Sequence, residues 1–216
     1  MGRTKLPPKR AIEIKKENIG RIIIFCEGMT EKRYFDYFTA IINKNKFTDI
    51  HVEIESVNGN SQTVLNFAEN YLAIASNNQK YVNYNKYLVF DCDDPPNIQQ
   101  VILDMQASSN NYNLLVSNLL FEVWLLMHFE IIDRPLTKRH IYERLQIHLK
   151  KEYKKAETGT IREIIQNGNI DNAIQYAEIL NEKYKSEGKS ISSNILEMNS
   201  YTNVHELVQQ LMLEIS

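Results

Sequence analysis

The run Arg21-Ile-Ile-Ile-Phe-Cys26, followed at once by Glu27-Gly28-Met29-Thr30-Glu31, decides the architecture. A short, apolar, β-branched run of this kind is a strand covered on both faces, as strands of a parallel sheet are. From Thr30 to about Asn45, Tyr34, Phe35, Phe38, Ile41 and Ile42 fall on one side of a helix, and Lys32, Arg33, Asp36 and Asn43 largely on the other. The unit is strand, acidic turn, helix.

Working outward, the unit recurs. His51 to Val57 is strand-like, Gln62 to Ala75 helical, Tyr87 to Phe90 a second buried strand, Asn97 to Ala107 helical and Leu114 to Val116 a further strand. Such alternation predicts an α/β fold with a mostly parallel sheet flanked by helices, because parallel strands are joined through crossover helices. Beyond Leu119 strand signals vanish, and helices are expected near 119–130, 137–150, 171–185 and 203–215, with Gly159, Gly168 and Gly188 marking loops. The expected organisation is a basic flexible tail over 1–20, an α/β core over 21–117 and a helical extension over 118–216 packed on that core.

Composition narrows the classes. The 216 residues suffice for one sizeable core, and 43% hydrophobic with 24% charged residues suits a globular protein. A net charge of −2 supplies no general positive field, so any nucleic-acid contact must come from local basic patches. Cys26 and Cys92 lack disulfide-scaffold or zinc spacing, which fits a cytoplasmic protein. The N-terminal lysines and arginines precede no apolar core of a signal peptide. The apolar stretch Leu114 to Phe129 is broken by Ser117, Asn118, Glu122 and His128, so no membrane span is expected.

Two acidic features carry chemistry. Glu27 stands where a buried strand ends, the edge at which ligands gather in open α/β sheets. Gly28 is expected to let the chain turn sharply, Thr30 to cap the helix and Glu31 to favour its N-terminus. The bland alternative is a decorated turn. The second feature is Phe90-Asp91-Cys92-Asp93-Asp94-Pro95-Pro96. Residues two apart on a strand share a side, so Asp91 and Asp93 can converge, while Asp94 reads as the N-cap of a proline-led helix. Glu27, Asp91 and Asp93 at one sheet edge point to a Mg²⁺ or Mn²⁺ site, since hard cations take oxygen ligands. Crowded carboxylates also raise one another's pKa, so the same set could serve as a general acid/base pair.

An acidic turn after the first strand and an Asp-x-Asp after a later one resemble the Toprim domain of topoisomerases, primases and OLD-type nucleases, over roughly residues 21–117. The resemblance narrows at Ser117-Asn118-Leu-Leu-Phe121-Glu122-Val-Trp124-Leu-Leu-Met-His128-Phe129 and at Asn199-Ser-Tyr-Thr202-Asn-Val204-His205-Glu-Leu207. Both are similar to signatures of the RloB family, also called AbiLii, whose usual patterns are SNPxFExWLLxHF and NPSTxVHxLV. Leu119 and Ser200 stand where that family usually has proline, and Tyr201 where it has serine. The resemblance implies a Toprim-type nuclease, Mg²⁺-dependent, that hydrolyses phosphodiester bonds of nucleic acid in anti-phage abortive infection beside an AAA-type ATPase of the RloA/AbiLi kind. It implies Glu27 as general base or phosphate organiser and Asp91 and Asp93 as metal ligands. RNA such as tRNA is favoured over DNA by analogy with related Toprim effectors. The competing expectation is a non-catalytic subunit that binds nucleic acid or nucleotide and regulates the ATPase. A homo-oligomer is left open.

Several residues keep two readings. Glu122 is a fourth catalytic acid or a lone polar group on a buried helix. His128 points roughly 120° away from it on an ideal helix and reads better as a core or capping histidine. His205 anchors the last helix or faces the site. In Lys150-Lys151-Glu152-Tyr153-Lys154-Lys155, Lys151 and Lys154 could neutralise phosphates and Tyr153 stack on a base, or the run is a solvated helix end. Trp124 reads as core.

Overall fold

The computed structural model describes residues 19–43, 48–54, 60–92 and 97–215. Expectations for the basic tail up to residue 18, and for Asp93 and Asp94, fall outside these residues. The sheet is five-stranded, β1 (Arg21–Cys26), β2 (Asp49–Ile54), β3 (Asn85–Asp91), β4 (Tyr112–Asn118) and β5 (Tyr201–Thr202), in the order β2-β1-β3-β4-β5. The first four pair in parallel and β5 pairs antiparallel with β4. The architecture is thus the expected α/β one, a mostly parallel sheet flanked by helices and followed by C-terminal helices. Ile22, Ile23, Ile24 and Phe25 are fully buried, as a central strand covered on both faces requires.

Chain direction across the sheet places the crevice. The β1 to β2 connection, through α1 (Met29–Ile42), runs one way; the β3 to β4 connection, through α4 (Ile98–Ala107), runs the other. Right-handed crossovers then put α1 and α4 on opposite faces. Helix α2 (Ser61–Ala73), leading with α3 (Ala75–Tyr81) from β2 to β3, packs on α4, and α10 (His205–Ile215) packs on α1. The strand order therefore reverses between β1 and β3, and in open α/β sheets the ligand crevice lies beyond the carboxyl ends at such a reversal.

The later chain adds α5 (Glu122–Met127), α6 (Lys138–Leu149), α7 (Thr158–Asn167), α8 (Ile170–Ser186) and the single turn α9 (Ile191–Asn194). Besides α3 and α9, which no expectation covered, two elements depart from the sequence reading. Helix α7 forms through a stretch expected to be a loop at Gly159, because Ile161, Ile164 and Ile165 recur at helical spacing and are buried. Strand β5 is too short for any alternation to show in sequence, and the Asn203 side chain extends its pairing: its Oδ1 accepts from Val116 N–H at 2.8 Å and its Nδ2 donates to Leu114 C=O at 2.8 Å. Cis peptide bonds precede Leu119 and Ser200, the two positions where the resembled patterns carry proline. Among the described residues no helix is long and apolar enough to cross a membrane.

Helix α5 is the hub of the second half. Every residue of it is buried, and Trp124 and His128 pack edge-on against Tyr34 of α1. His128 is a core histidine: its Nε2 pairs with the Tyr34 hydroxyl at 3.2 Å and its Nδ1 lies 3.1 Å from Trp124 C=O. Burial pulls its pKa down to about 4, so it is neutral at physiological pH. The turn between α7 and α8 closes on it, Asn169 N–H donating to His128 C=O at 2.7 Å. A Cβ on Gly168 would meet His128 Cβ at 2.6 Å and Ile164 C=O at 2.7 Å, whereas one on Gly159 meets open space. Gly168→Ala is expected to cost about 1–3 kcal/mol in denaturant unfolding, and Gly159→Ala to stay within about 1 kcal/mol of the parent.

Candidate active site: an acidic crevice at the strand reversal

Glu27 directly follows β1 and Asp91 ends β3, so strand reversal alone brings them to the same crevice. Asp91 N–H donates to Glu27 Oε2 at 3.2 Å, which ties the two strand ends together. The chain bends at Glu27 and Gly28 as expected, but Gly28 does so with an extended backbone at φ −136° and ψ 170°, which needs no glycine. Its value is space: a Cβ there would stand 2.8 Å from Glu31 Oε2. Thr30 is not the helix cap. Gly28 holds that position, and Thr30 is buried within the first turn.

Glu31, expected to serve the helix N-terminus, turns inward and is only 2% exposed. Asp91 is 6% exposed and Glu122, the first residue of α5, is wholly buried. Glu122 Oε1 accepts a hydrogen bond from the Tyr153 hydroxyl at 2.9 Å. One oxygen on each of Glu31, Asp91 and Glu122 has no hydrogen-bond partner among the described residues. Buried carboxylate oxygens in that condition are costly unless a proton or cation meets them.

The electrostatics follow. Burial raises the pKa of Asp91 well above the carboxylate range, and Glu31, Glu122 and Glu27 push it further against the pull of Lys155. Glu31 is driven up to about 8, first by burial and then by Glu122 and Glu27, with its own backbone hydrogen bond and Lys155 opposing. Lys155 responds in the opposite sense. Burial disfavours its charge, but Glu122, Asp91 and Glu31 more than offset this and hold it protonated. Its residue surface remains exposed, so it stands at the mouth of the crevice.

The basic run after α6 is thereby divided. Lys150 ends the helix in a left-handed conformation, and Lys151 pairs with Glu163 at 2.5 Å. Tyr153 is buried, so its ring is not presented to a base, while Lys154 is exposed. Tyr153, through its hydroxyl, and Lys155, through its charge, both act on the acids from the segment between α6 and α7. His205 lies elsewhere. Strand β5 runs antiparallel to β4, away from the carboxyl edge, and His205 Nε2 sits 3.4 Å from Asn181 Nδ2 on α8.

Sequence reasoning did not single out Glu31 and Lys155 as site residues. A signal for Glu31 was there in its four-residue spacing from Glu27 across the bend at Gly28; none marked Lys155 apart from the other lysines of its run. Among the described residues no three histidine, cysteine, aspartate or glutamate side chains converge as a formed metal site. The donor set at the crevice is nonetheless all oxygen, and its unpartnered atoms suit a hard divalent cation.

Fold and crevice together define a doubly wound α/β protein with a carboxylate-rich site at its strand reversal. A family model described as RloB-like protein matches residues 22–211, and the chain belongs to that family. No curated protein and no solved structure matches it.

The raised acids couple stability to pH. A folded-state pKa of about 8 for Glu31 against an ordinary 4.5 means that the folded protein retains a proton that the unfolded chain releases. Without divalent cation, stability is therefore expected to be greatest below about pH 4.5 as far as Glu31 decides it, and to fall as pH rises toward 8. Asp91 acts in the same direction. Thermal melts in EDTA between pH 5 and 8 should show a flatter profile for Glu31→Gln than for the parent, each kcal/mol reading as roughly 2–4 °C.

Proposed function

We propose that this chain is a metal-dependent nuclease that hydrolyses phosphodiester bonds of nucleic acid in defence against phage, acting with an AAA-type ATPase. The observation that carries the reading is the set of buried, oxygen-only acids with unpartnered atoms at the reversal of strand order. Membership of the RloB-like family supports the association with abortive infection. RNA such as tRNA is preferred to DNA by analogy with related Toprim effectors.

Asp91, with Glu27 and Asp93, would hold Mg²⁺ or Mn²⁺, with Glu31 and Glu122 as neighbouring acids. Bound there, the cation would neutralise the phosphodiester and lower the pKa of water. The chain's own groups do the rest. Glu31, buried and with one carboxylate oxygen unpartnered among the described residues, is the acid that would take or return a proton, as a general base must. Glu122 is fixed by the Tyr153 hydroxyl and leaves one oxygen to the crevice. Lys155 holds positive charge at the mouth, where a substrate phosphate would enter.

The test is cleavage of labelled tRNA, single-stranded RNA and plasmid DNA by the protein with its ATPase, with Mg²⁺, with Mn²⁺ and with EDTA. Cutting is expected only with the cation, and Asp91→Ala should reduce it by about 100-fold or more while leaving ATPase binding intact. If parent and variant both bind the ATPase and neither cuts under any activated condition, the chain is a nucleic-acid- or nucleotide-binding regulatory subunit instead.

A further inference from the structure

Beside the crevice, a groove of about 480 Å³ runs between α1 and α7 and begins at Met29, the residue after the Gly28 turn. Met29, Arg33, Tyr37 and Ile41 recur along one line of α1, and Ile161 and Arg162 face them from α7. The floor is apolar, with Ile161 buried and Ile41 left 38% exposed. Tyr37 is half-buried and rests edge-on against Phe38, which leaves part of its ring open to the groove.

Lys32, Arg139, Arg144 and Lys151 are each engaged in an ion pair, whereas Arg33 and Arg162 form none within 4 Å among the described residues. Asp36 also lines the groove but is already paired with Lys32 at 3.1 Å. Exposed Glu157, just before α7, is held below the ordinary carboxylate range by the Thr160 hydroxyl and then by Lys154, Lys151 and Arg33. Arg33 thus acts on the same carboxylate as Lys151 and Lys154 of the 151–157 segment. Two guanidinium groups with no ion pair within 4 Å among the described residues, over an apolar and aromatic floor, match a strand that offers both phosphates and bare base faces; a duplex hides the latter.

We propose that the α1/α7 groove binds single-stranded nucleic acid flanking the scissile phosphodiester, Arg33 and Arg162 holding backbone phosphates and Tyr37 supporting a base. This rests on the nuclease reading for the identity of the strand and extends it by naming the path and the unpaired state of the substrate. It also accounts for an acidic chain that engages a polyanion, since the positive charge needed is local.

The experiment is fluorescence anisotropy of a labelled 12-nucleotide RNA, single-stranded and as a duplex, with the full-length protein in EDTA so that binding is read without cutting. Arg33→Ala/Arg162→Ala is expected to bind the single strand about 10-fold or more weakly, and to flatten the log K against log salt slope by about 1.4 for two lost contacts. Tyr37→Ala should weaken binding with the slope unchanged, and Arg139→Ala on α6 should match the parent. Thermal melts identify any variant that fails to fold, and Arg33→Lys/Arg162→Lys, which keeps the charge, then replaces it and should retain the parent salt slope. Parent-like binding by the double variant, equal affinity for the duplex, or no binding of any strand by the parent overturns the groove assignment. The two readings fail separately: Asp91-dependent cutting with an indifferent groove sinks only the groove, and groove-dependent binding without cutting sinks only the nuclease.

Discussion

Mutual repulsion among carboxylates in one poorly solvated crevice is the constraint around which this molecule is arranged. Glu27 and Glu31 from the β1–α1 junction, Asp91 from the end of β3 and Glu122 from the start of α5 come from three segments of the chain, and three of the four are almost wholly buried. An isolated buried carboxylate is costly, and like-charged neighbours add to the cost. The structure meets part of it with one backbone N–H on Glu27, one tyrosine hydroxyl on Glu122 and the ammonium of Lys155. Raised proton affinity on Asp91 and Glu31 meets more. A fold that needed these acids only for stability would do better with apolar side chains of similar size.

What holds the acids together is the rigid apolar frame behind them. Strand β1 is closed in on both faces, so the ends of β1 and β3 cannot separate without disturbing the sheet centre. Helix α5 brings Glu122 from the other half of the chain, and its position is set by packing of Trp124 and His128 on Tyr34. The neutral imidazole of His128 lets that packing form without a buried charge. Close approach at Gly168 then seats α7, and the segment before α7 delivers Tyr153 and Lys155. The chain after β4 is thus part of the candidate site, because without it the acids would lose both Glu122 and the compensating ammonium of Lys155.

Legibility in the sequence followed the length of the physical signal. Buried strands and amphipathic helices extend over many residues and repeat, so β1, β3 and α1 could be read directly, and with them the place of Glu27 and Asp91 at strand ends. Trp124 and His128 belonged legibly to a buried helix. Helix α7 was obscured by Gly159, although the three isoleucines behind it outweigh one glycine. Strand β5 left no pattern at all, since its pairing depends on the Asn203 amide reaching β4.

By itself, then, the sequence determined the alternation of strand and helix, the family signatures and the acids that terminate strands, because each of these is a local matter of hydrophobic period and turn chemistry. Only the tertiary structure decided that Glu31 faces inward, that Tyr153 is a buried partner of Glu122 and not an exposed stacking ring, that Lys155 stands among the acids and that His205 does not. The reason is common to all four. A side chain's chemical role here is set by which groups surround it in space, and those groups lie tens of residues away along the chain, beyond the reach of any periodicity.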